Sequence, residues 1–302
     1  MTSKVWFITG SARGLGRDLT EAALAAGDRV AATARDRRRL DELVRAYGVD
    51  AVVPITLDVT DAAAARDAVD EAVRVFGRID VVVNNAGYAN LASFEDTPDE
   101  DFRAQVETNL FGVVNVTKAV LPVLRRQGAG RIVNVSSLGG RTAAAGLAPY
   151  QLSKWAVSGF TEVLAQEVGP LGIKVTAIEP GGIRTDWAGS SMRVPPVSEA
   201  YAPTVGAMAA LLGQGGTRAA SDPAKVADAI RRLVEMDSPP VRVLLGSDAL
   251  AIAKAAADAQ SRSDAALAGF SRSTDHDDAT PAELDPFGGS AALSSGGVAA
   301  AS

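Results

Sequence analysis

The chain predicts an α/β fold: a single doubly wound domain whose seven-stranded parallel sheet carries helices on both faces. Two observations predict it. Apolar runs of strand length alternate with helix-length periodic segments along most of the 302 residues. The links between them are short, and alternating β and α units joined in this way make successive strands parallel and cover both faces of the sheet.

Residues 4–9 read as the first strand and 14–26 as the first helix, closed by Gly27-Asp28. Residues 29–34 form a second strand and 36–47 a charged helix. A third strand at 51–57 precedes a helix at 61–76, and a fourth strand follows at 79–84. A long helical segment covers 99–126, with Pro122 inside it expected to kink it or end it early. The fifth strand is 131–136. The helix at 149–168 begins on Pro149, which suits a first turn. Residues 173–179 make the sixth strand, 223–236 a helix capped by Ser221 or Asp222, and 241–245 the seventh strand. A last helix spans 249–267.

The catalytic domain is expected to run through residue 268. Residues 186–216 break the alternation, being rich in Pro, Gly, Ser and Met with a short apolar helix at 205–212. A long connection of that kind reads as a substrate lid. The segment 271–302 carries Asp275, Asp277, Asp278, Glu283 and Asp285 against Arg272, and so holds −4 of the net charge of −6. Its low complexity and its Gly, Ser and Ala ending predict a disordered acidic tail.

Composition narrows the chemistry. At 47% hydrophobic the chain can bury a large core, and its net negative charge argues against nucleic acid as a partner. The absence of cysteine removes disulfides, thiolate metal sites and cysteine nucleophiles. The single histidine, His276, sits in the acidic tail, so a histidine-dependent hydrolase or metal site is not expected. Neither a signal-like leader nor an uncharged apolar run of about 18 residues is visible, which predicts a cytoplasmic protein with no membrane partner.

A nucleotide site is expected where the first strand meets the first helix. Thr9-Gly10-Ser11-Ala12-Arg13-Gly14-Leu15-Gly16 brings glycines and a helix N-terminus together, the arrangement that lets backbone N–H groups approach a pyrophosphate. The loop lacks the Gly-Lys-Ser/Thr of a nucleotide-hydrolysing phosphate loop, which favours a hydride-carrying dinucleotide. At the end of the second strand, Thr33-Ala34-Arg35-Asp36 places a small residue where an acid would bind the ribose and follows it with a base. Arg35, with Arg13 as a second candidate, therefore favours NADP(H) over NAD(H). A shift of two positions would instead make Asp36 a ribose ligand. Asp58-Val59 after the third strand can meet the adenine amino group. Asn84-Asn85-Ala86-Gly87 at the end of the fourth can line the adenosine ribose.

Tyr150 and Lys154 lie one helical turn apart, and Ser137 precedes Tyr150 by thirteen residues. A nearby cation favours the ionised phenol, so the expectation is a tyrosine pKa lowered toward working pH. Ser137 offers a hydroxyl for a substrate oxygen. Neighbouring Ser136 is the competing serine, but its spacing to Tyr150 is one residue too long.

With these motifs in this order, the chain resembles the classical short-chain dehydrogenase/reductase family over residues 4–245, a Rossmann-type fold. The resemblance rests on Thr9 to Gly16, Asp58, Asn84 to Gly87, Asn109, Ser137, Tyr150-x3-Lys154 and Pro180-Gly181. It implies an oxidoreductase that moves a hydride between NADP(H), or alternatively NAD(H), and the carbonyl or secondary alcohol of a small molecule. Tyr150 would be the general acid/base and Ser137 would hold the substrate oxygen. Lys154 would bind the nicotinamide ribose and tune Tyr150, and Asn109 would anchor a water in a relay toward Lys154. Pro180, Gly181, Ile183 and Thr185 would contact the carboxamide. The resemblance also implies a homodimer or homotetramer built on the helices at 99–126 and 149–168. The lid run from Asp186 to Ser191 is similar to that of the hydroxysteroid/retinol-dehydrogenase-like branch. Met192, Val194, Pro195, Pro196, Val197, Tyr201 and Met208 predict a largely apolar pocket under it, and a polyketide or steroid-like ring is a special case. A rival reading is a non-catalytic NADP-binding regulatory protein, which would be expected to have lost Tyr150 or Lys154.

Overall fold

Seven strands form one sheet: β1 Val5–Ile8, β2 Arg29–Ala34, β3 Val52–Thr56, β4 Val81–Asn84, β5 Gly130–Val135, β6 Ile173–Pro180 and β7 Arg242–Leu245. The computed structural model describes residues 3–184, 192–213 and 219–286. The strand order is β3-β2-β1-β4-β5-β6-β7, and every pairing is parallel. The winding reverses between β1 and β4, which opens a crevice at the carboxyl ends of those strands.

Alternate residues of each strand go to opposite faces. Val5, Phe7, Ala31, Ile55, Val82 and Ile132 face α3 (Ala62–Phe76), α5 (Gly112–Gln127) and α6 (Ala148–Val168). Trp6, Ile8, Val30, Ala32, Val81 and Val83 face α1 (Gly14–Ala25), α2 (Asp41–Tyr47) and α8 (Pro223–Glu235). Burial on both faces is why these strands read as unbroken apolar runs. α8 is capped by Asp222, whose carboxylate accepts from the N–H groups of Ala224 and Lys225.

The helical stretch at 99–126 is interrupted, but not at Pro122. α4 (Asp99–Val106) passes into a π-helical turn at Glu107–Phe111 and then into α5. Pro122 and Lys118, whose carbonyl loses its helical donor, are both exposed, so water can serve that carbonyl while Val120, Val123 and Leu124 hold the opposite side in the core. The expected charged helix after β2 is a 3₁₀ turn at Arg37–Leu40 running into α2. The last helix, α9 (Ser247–Arg272), is longer than its periodicity predicts. One helical turn, Pro281–Leu284, falls within the stretch expected to lack structure.

Part of the expected lid lies outside the described residues. What is described is held down on the body. Two-residue strands Ala89–Asn90 and Met192–Arg193 pair in parallel, a contact too short to leave a sequence signal. Ser198 donates to Asp96 at 2.6 Å, Tyr201 donates to Glu95 at 2.6 Å, and Arg193 pairs with Asp101. The expected short helix appears as α7, Ala207–Gly213.

Glu179 on β6 is 0% exposed and fully partnered. Arg141 donates to it at 2.5 Å, Arg242 at 2.5 and 2.8 Å, and the Ser158 hydroxyl at 2.9 Å. Removing one charge of a buried pair strands the other. With Arg141 and Arg242 partly open to water and Arg242 still paired with Glu162, Glu179→Gln is expected to lower stability by about 1.5–3 kcal/mol, against about 1 kcal/mol for Asp222→Ala at its helix cap. Urea midpoints followed by circular dichroism check the order of these two losses.

Candidate active site

A cleft of about 1510 Å³ lies over the carboxyl ends of β1, β2, β4, β5 and β6. Its floor is set by hydrogen bonds at the seam between β1 and β4. The Thr9 hydroxyl accepts from the N–H of Asn85 at 2.9 Å and of Ala86 at 3.0 Å, and donates to the Val83 carbonyl. The Asn85 amide donates to the Thr9 carbonyl at 2.9 Å. Gly16 makes this closeness possible, since a Cβ there would stand 2.4 Å from both the Asn85 amide and the Gly10 carbonyl.

Gly10, Arg13, Gly14 and Leu15 line the cleft at the start of α1, and Asp58, Val59, Asn85, Ala86 and Gly87 line it beside the next strands. Ser11 and Gly16 do not. Ser11 is buried, its hydroxyl on the Ile8 carbonyl and its N–H on the Thr33 carbonyl. Both residues shape the loop from beneath.

Arg35 lines the far end of the cleft with Arg13, and Arg39 joins them. Asp36 also borders this end, but its carboxylate is taken up by Arg38, whose Nε and Nη2 each lie 2.9 Å away. Those bonds hold its carboxyl below the usual range. Arg39 is one of three arginines in the 3₁₀ turn Arg37–Leu40, which follows Arg35 and Asp36.

At the other end, Ser137, Tyr150 and Lys154 come together. Ser137 caps the 3₁₀ turn Leu138–Gly140, accepting from the Gly139 N–H at 3.0 Å, and hydrogen-bonds Tyr150. Tyr150 lies in the first turn of α6, just after Pro149, the second residue of the helix. Lys154, one turn on, holds its ammonium 5.7 Å from the Tyr150 ring centroid and donates to the Val135 carbonyl at 2.6 Å. Ser136 is buried, with its hydroxyl on the Lys154 carbonyl and against Ser158, so it serves the fold and leaves Ser137 to face Tyr150.

One expectation about this trio is overturned. Tyr150 is not made acidic by Lys154. Burial pushes the phenol up to about 12, with the Ser137 hydrogen bond pulling it only partly back. Burial likewise pushes the Lys154 ammonium down to about 8. Both side chains are nearly enclosed, at 8% and 5% exposure, and desolvation of the charged form is the largest cause of each shift.

Asn109 sits in the π turn, fully buried, and does not line the cleft. Its amide donates to the Tyr88 carbonyl at 2.8 Å and its oxygen accepts from the Tyr88 N–H at 3.0 Å. It nonetheless stands close behind the site: a Cβ on Gly87 would lie 2.9 Å from the Asn109 oxygen and 3.8 Å from the Lys154 ammonium. Pro180, Gly181 and Ile183 line the cleft beyond β6. Thr185 and the run Asp186 to Ser191 lie outside the described residues.

Sequence reasoning missed several cleft residues. Tyr88 hydrogen-bonds Thr108, and its phenol is pushed up mainly by burial. Leu211 and Leu212 border the cleft from α7, and Asp248 reaches it from α9. None of these belongs to a motif.

The arrangement is that of a dinucleotide-dependent oxidoreductase, and comparison with known proteins agrees. The family model for short chain dehydrogenase matches residues 4–193. Oxidoreductase BOA17 of Botryotinia fuckeliana strain B05.10 is 55% identical over 262 residues, covering 87% of this chain and 96% of that protein. A crystal structure of a short-chain dehydrogenase from Streptomyces avermitilis superposes with a TM-score of 0.85 at 39% identity, over 91% of this chain and 100% of that one. An alcohol dehydrogenase from the archaeon Thermococcus sibiricus, complexed with 5-hydroxy-NADP, gives a TM-score of 0.67 at 27% identity, over 82% and 97%. The chain belongs to the short-chain dehydrogenase/reductase family, whose members are NAD(P)-dependent oxidoreductases. Among the described residues, no helix is long and apolar enough to cross a membrane.

The depressed Lys154 pKa has a stability consequence with a definite sign. Between about pH 8 and 10.5 the folded protein holds Lys154 neutral while the unfolded chain still protonates it. The unfolded state binds more protons there, so Lys154 makes stability rise with pH across that window. Tyr150 acts oppositely, from about pH 10 to 12. Urea midpoints of the wild type should therefore gain on those of Lys154→Met from pH 8 to 10; parallel curves would rule out the buried neutral amine.

Proposed function

We propose that the protein is an NADP-preferring, cytoplasmic oxidoreductase that interconverts a carbonyl and a secondary alcohol on a largely apolar small molecule. The observation that carries this reading is the Ser137–Tyr150 hydrogen bond with the Lys154 ammonium beside it, at one end of a cleft whose other end is basic. A dinucleotide fits the residues present. The loop from Gly10 to Leu15 offers side-chain-poor backbone at a helix N-terminus, and Arg13, Arg35 and Arg39 supply the guanidinium chemistry that a ribose 2′-phosphate requires.

When bound, the nicotinamide supplies the hydride chemistry. The chain's own groups then have separable tasks. Tyr150, held protonated by burial, is in the form that can give a proton to an oxygen gaining charge. Ser137 hydrogen-bonds that oxygen and stabilises its developing charge. Lys154 binds the nicotinamide ribose and places its charge near the phenol. Asn109, through the main chain around Tyr88 that it fixes, holds the wall behind Lys154 where a relay water would sit. Gly10, Ser11, Arg13, Gly14, Leu15 and Gly16 form the pyrophosphate loop. Arg35 takes the 2′-phosphate, Asp58 and Val59 the adenine, and Asn85, Ala86 and Gly87 the ribose. Pro180, Gly181, Ile183 and Thr185 take the carboxamide.

The apolar character of the substrate rests on the wall over Tyr150. Leu91, Leu147, Met192 and Val205 are buried with it, and Val197, Tyr201, Met208 and Leu212 pack against them. Val194 faces outward and contributes little. Exposed Phe111, Leu152, Trp155 and Val163 on the π turn and α6 support a homodimer or homotetramer.

An NAD-dependent dehydrogenase of the same family is the second reading, favoured by Asp36 at the cleft edge. Fluorescence titration separates the two. NADPH should bind more tightly than NADH, and Arg35→Glu should remove about tenfold or more of that preference while leaving NADH nearly unaffected. Equal affinities in the wild type would favour Asp36. Tyr150→Phe should bind cofactor normally and lose about 10²-fold or more of its turnover across a carbonyl panel. Retained turnover would remove Tyr150 as proton donor, and a wild type that binds NADPH but turns over nothing would favour the regulatory-protein reading.

A further inference from the structure

The loop after β6 leaves the sheet and leads into the lid. One of its supports comes from α9, in a part of the chain beyond the residues the family model matches. Asp248, in the first turn of α9, accepts a hydrogen bond from the Gly182 N–H at 2.8 Å through Oδ2, and it borders the cleft. The surrounding chain is built to admit this carboxylate. A Cβ at Gly181 would stand 2.3–2.5 Å from its three nearest carboxylate atoms, and a Cβ at Gly246 would stand 2.5 Å from Oδ1. Contacts that close do not occur, so both positions are confined to glycine for as long as Asp248 is seated there. Gly246 also needs glycine for its backbone, at φ +109°. Two further bonds tie the loop: the Gly181 N–H donates to the Leu245 carbonyl, and the Ser221 N–H donates to the Gly182 carbonyl.

We propose that Asp248 is a positioning residue for the nicotinamide end of the cofactor. It pins the main chain of residues 180–183 in the conformation that receives the carboxamide and removes the ordering cost from cofactor binding. This rests on the dinucleotide reading given above. Asp248 touches no reacting atom, so its effect is confined to the ligand's nicotinamide half. The adenosine half, held by the glycine loop and the arginines, does not sense it.

The test compares each dinucleotide with a fragment that lacks nicotinamide: NADPH with 2′,5′-ADP, and NADH with 5′-ADP. Binding to the full-length protein is followed by quenching of intrinsic tryptophan fluorescence. Asp248→Ala should raise the dissociation constant of the preferred dinucleotide about tenfold and leave its fragment within twofold. Asp248→Asn retains an acceptor for the Gly182 N–H and should stay within about threefold of wild type for both ligands. Gly181→Ala, which crowds the carboxylate out without removing it, should reproduce the selective loss and serves if Asp248→Ala does not fold. Unchanged dinucleotide affinity in Asp248→Ala and Gly181→Ala would overturn the proposal. So would equal weakening of dinucleotide and fragment, which marks a general structural role, or a loss in Asp248→Asn as large as that in Asp248→Ala. A wild type that binds neither dinucleotide would instead overturn the cofactor reading, and the role of Asp248 with it.

Discussion

The hydroxyl of Thr9 is the point on which the cleft depends. It sits where the sheet changes its direction of winding and bridges β1 to the turn after β4 through two accepted N–H bonds and one donated to a carbonyl. The glycine loop and the Asn85–Gly87 turn are thereby held at one height. A parallel sheet opens a crevice at such a reversal, because neighbouring connections leave toward opposite faces. The bonds made by Thr9 and Asn85 decide how the crevice is walled. On one side they leave Gly16 no room for a side chain, and on the other they set Gly87 against Asn109 and Lys154.

The acid/base end of the cleft is governed by desolvation. A phenol and an amine buried together each resist charge, so the protein alone carries a tyrosine that keeps its proton and a lysine that gives its proton up early. A motif reading that weighs only the attraction between a cation and a phenolate misses this, since it has no measure of enclosure. Enclosure of Tyr150 comes largely from distant parts of the chain: the Leu91 region and the lid residues Met192 and Val205 join neighbouring Leu147 in an apolar wall. Lys154 is further committed by its bond to the Val135 carbonyl, which ties α6 to the end of β5.

Behind that end runs a polar network of a different kind. Glu179 joins β6 to α6 through Ser158, to the turn after Ser137 through Arg141, and to the edge strand through Arg242. Its members come from four separate elements, and it explains the adjacent serines. Ser136 belongs to this network and Ser137 to the cleft, because residues on either side of a strand's end face opposite ways. Sequence spacing favoured the same choice without containing its reason.

Much of this molecule was legible without coordinates. Strand–helix alternation depends on local patterns of burial, so all seven strands and the order of the helices followed from it. The glycine loop and the Tyr150–Lys154 pair are likewise short-range, one set by a tight turn and the other by the pitch of a helix. Contacts between remote segments were not legible: the π turn that buries Asn109 against Tyr88, and Asp248 beneath the loop after β6. The primary structure by itself determined which residues bear the chemistry and on which elements they ride, because periodicity and turn chemistry act within a few residues. Only the folded chain decided which of those residues face the cleft and how their protons are held, because burial and the approach of distant segments are properties of the packed whole.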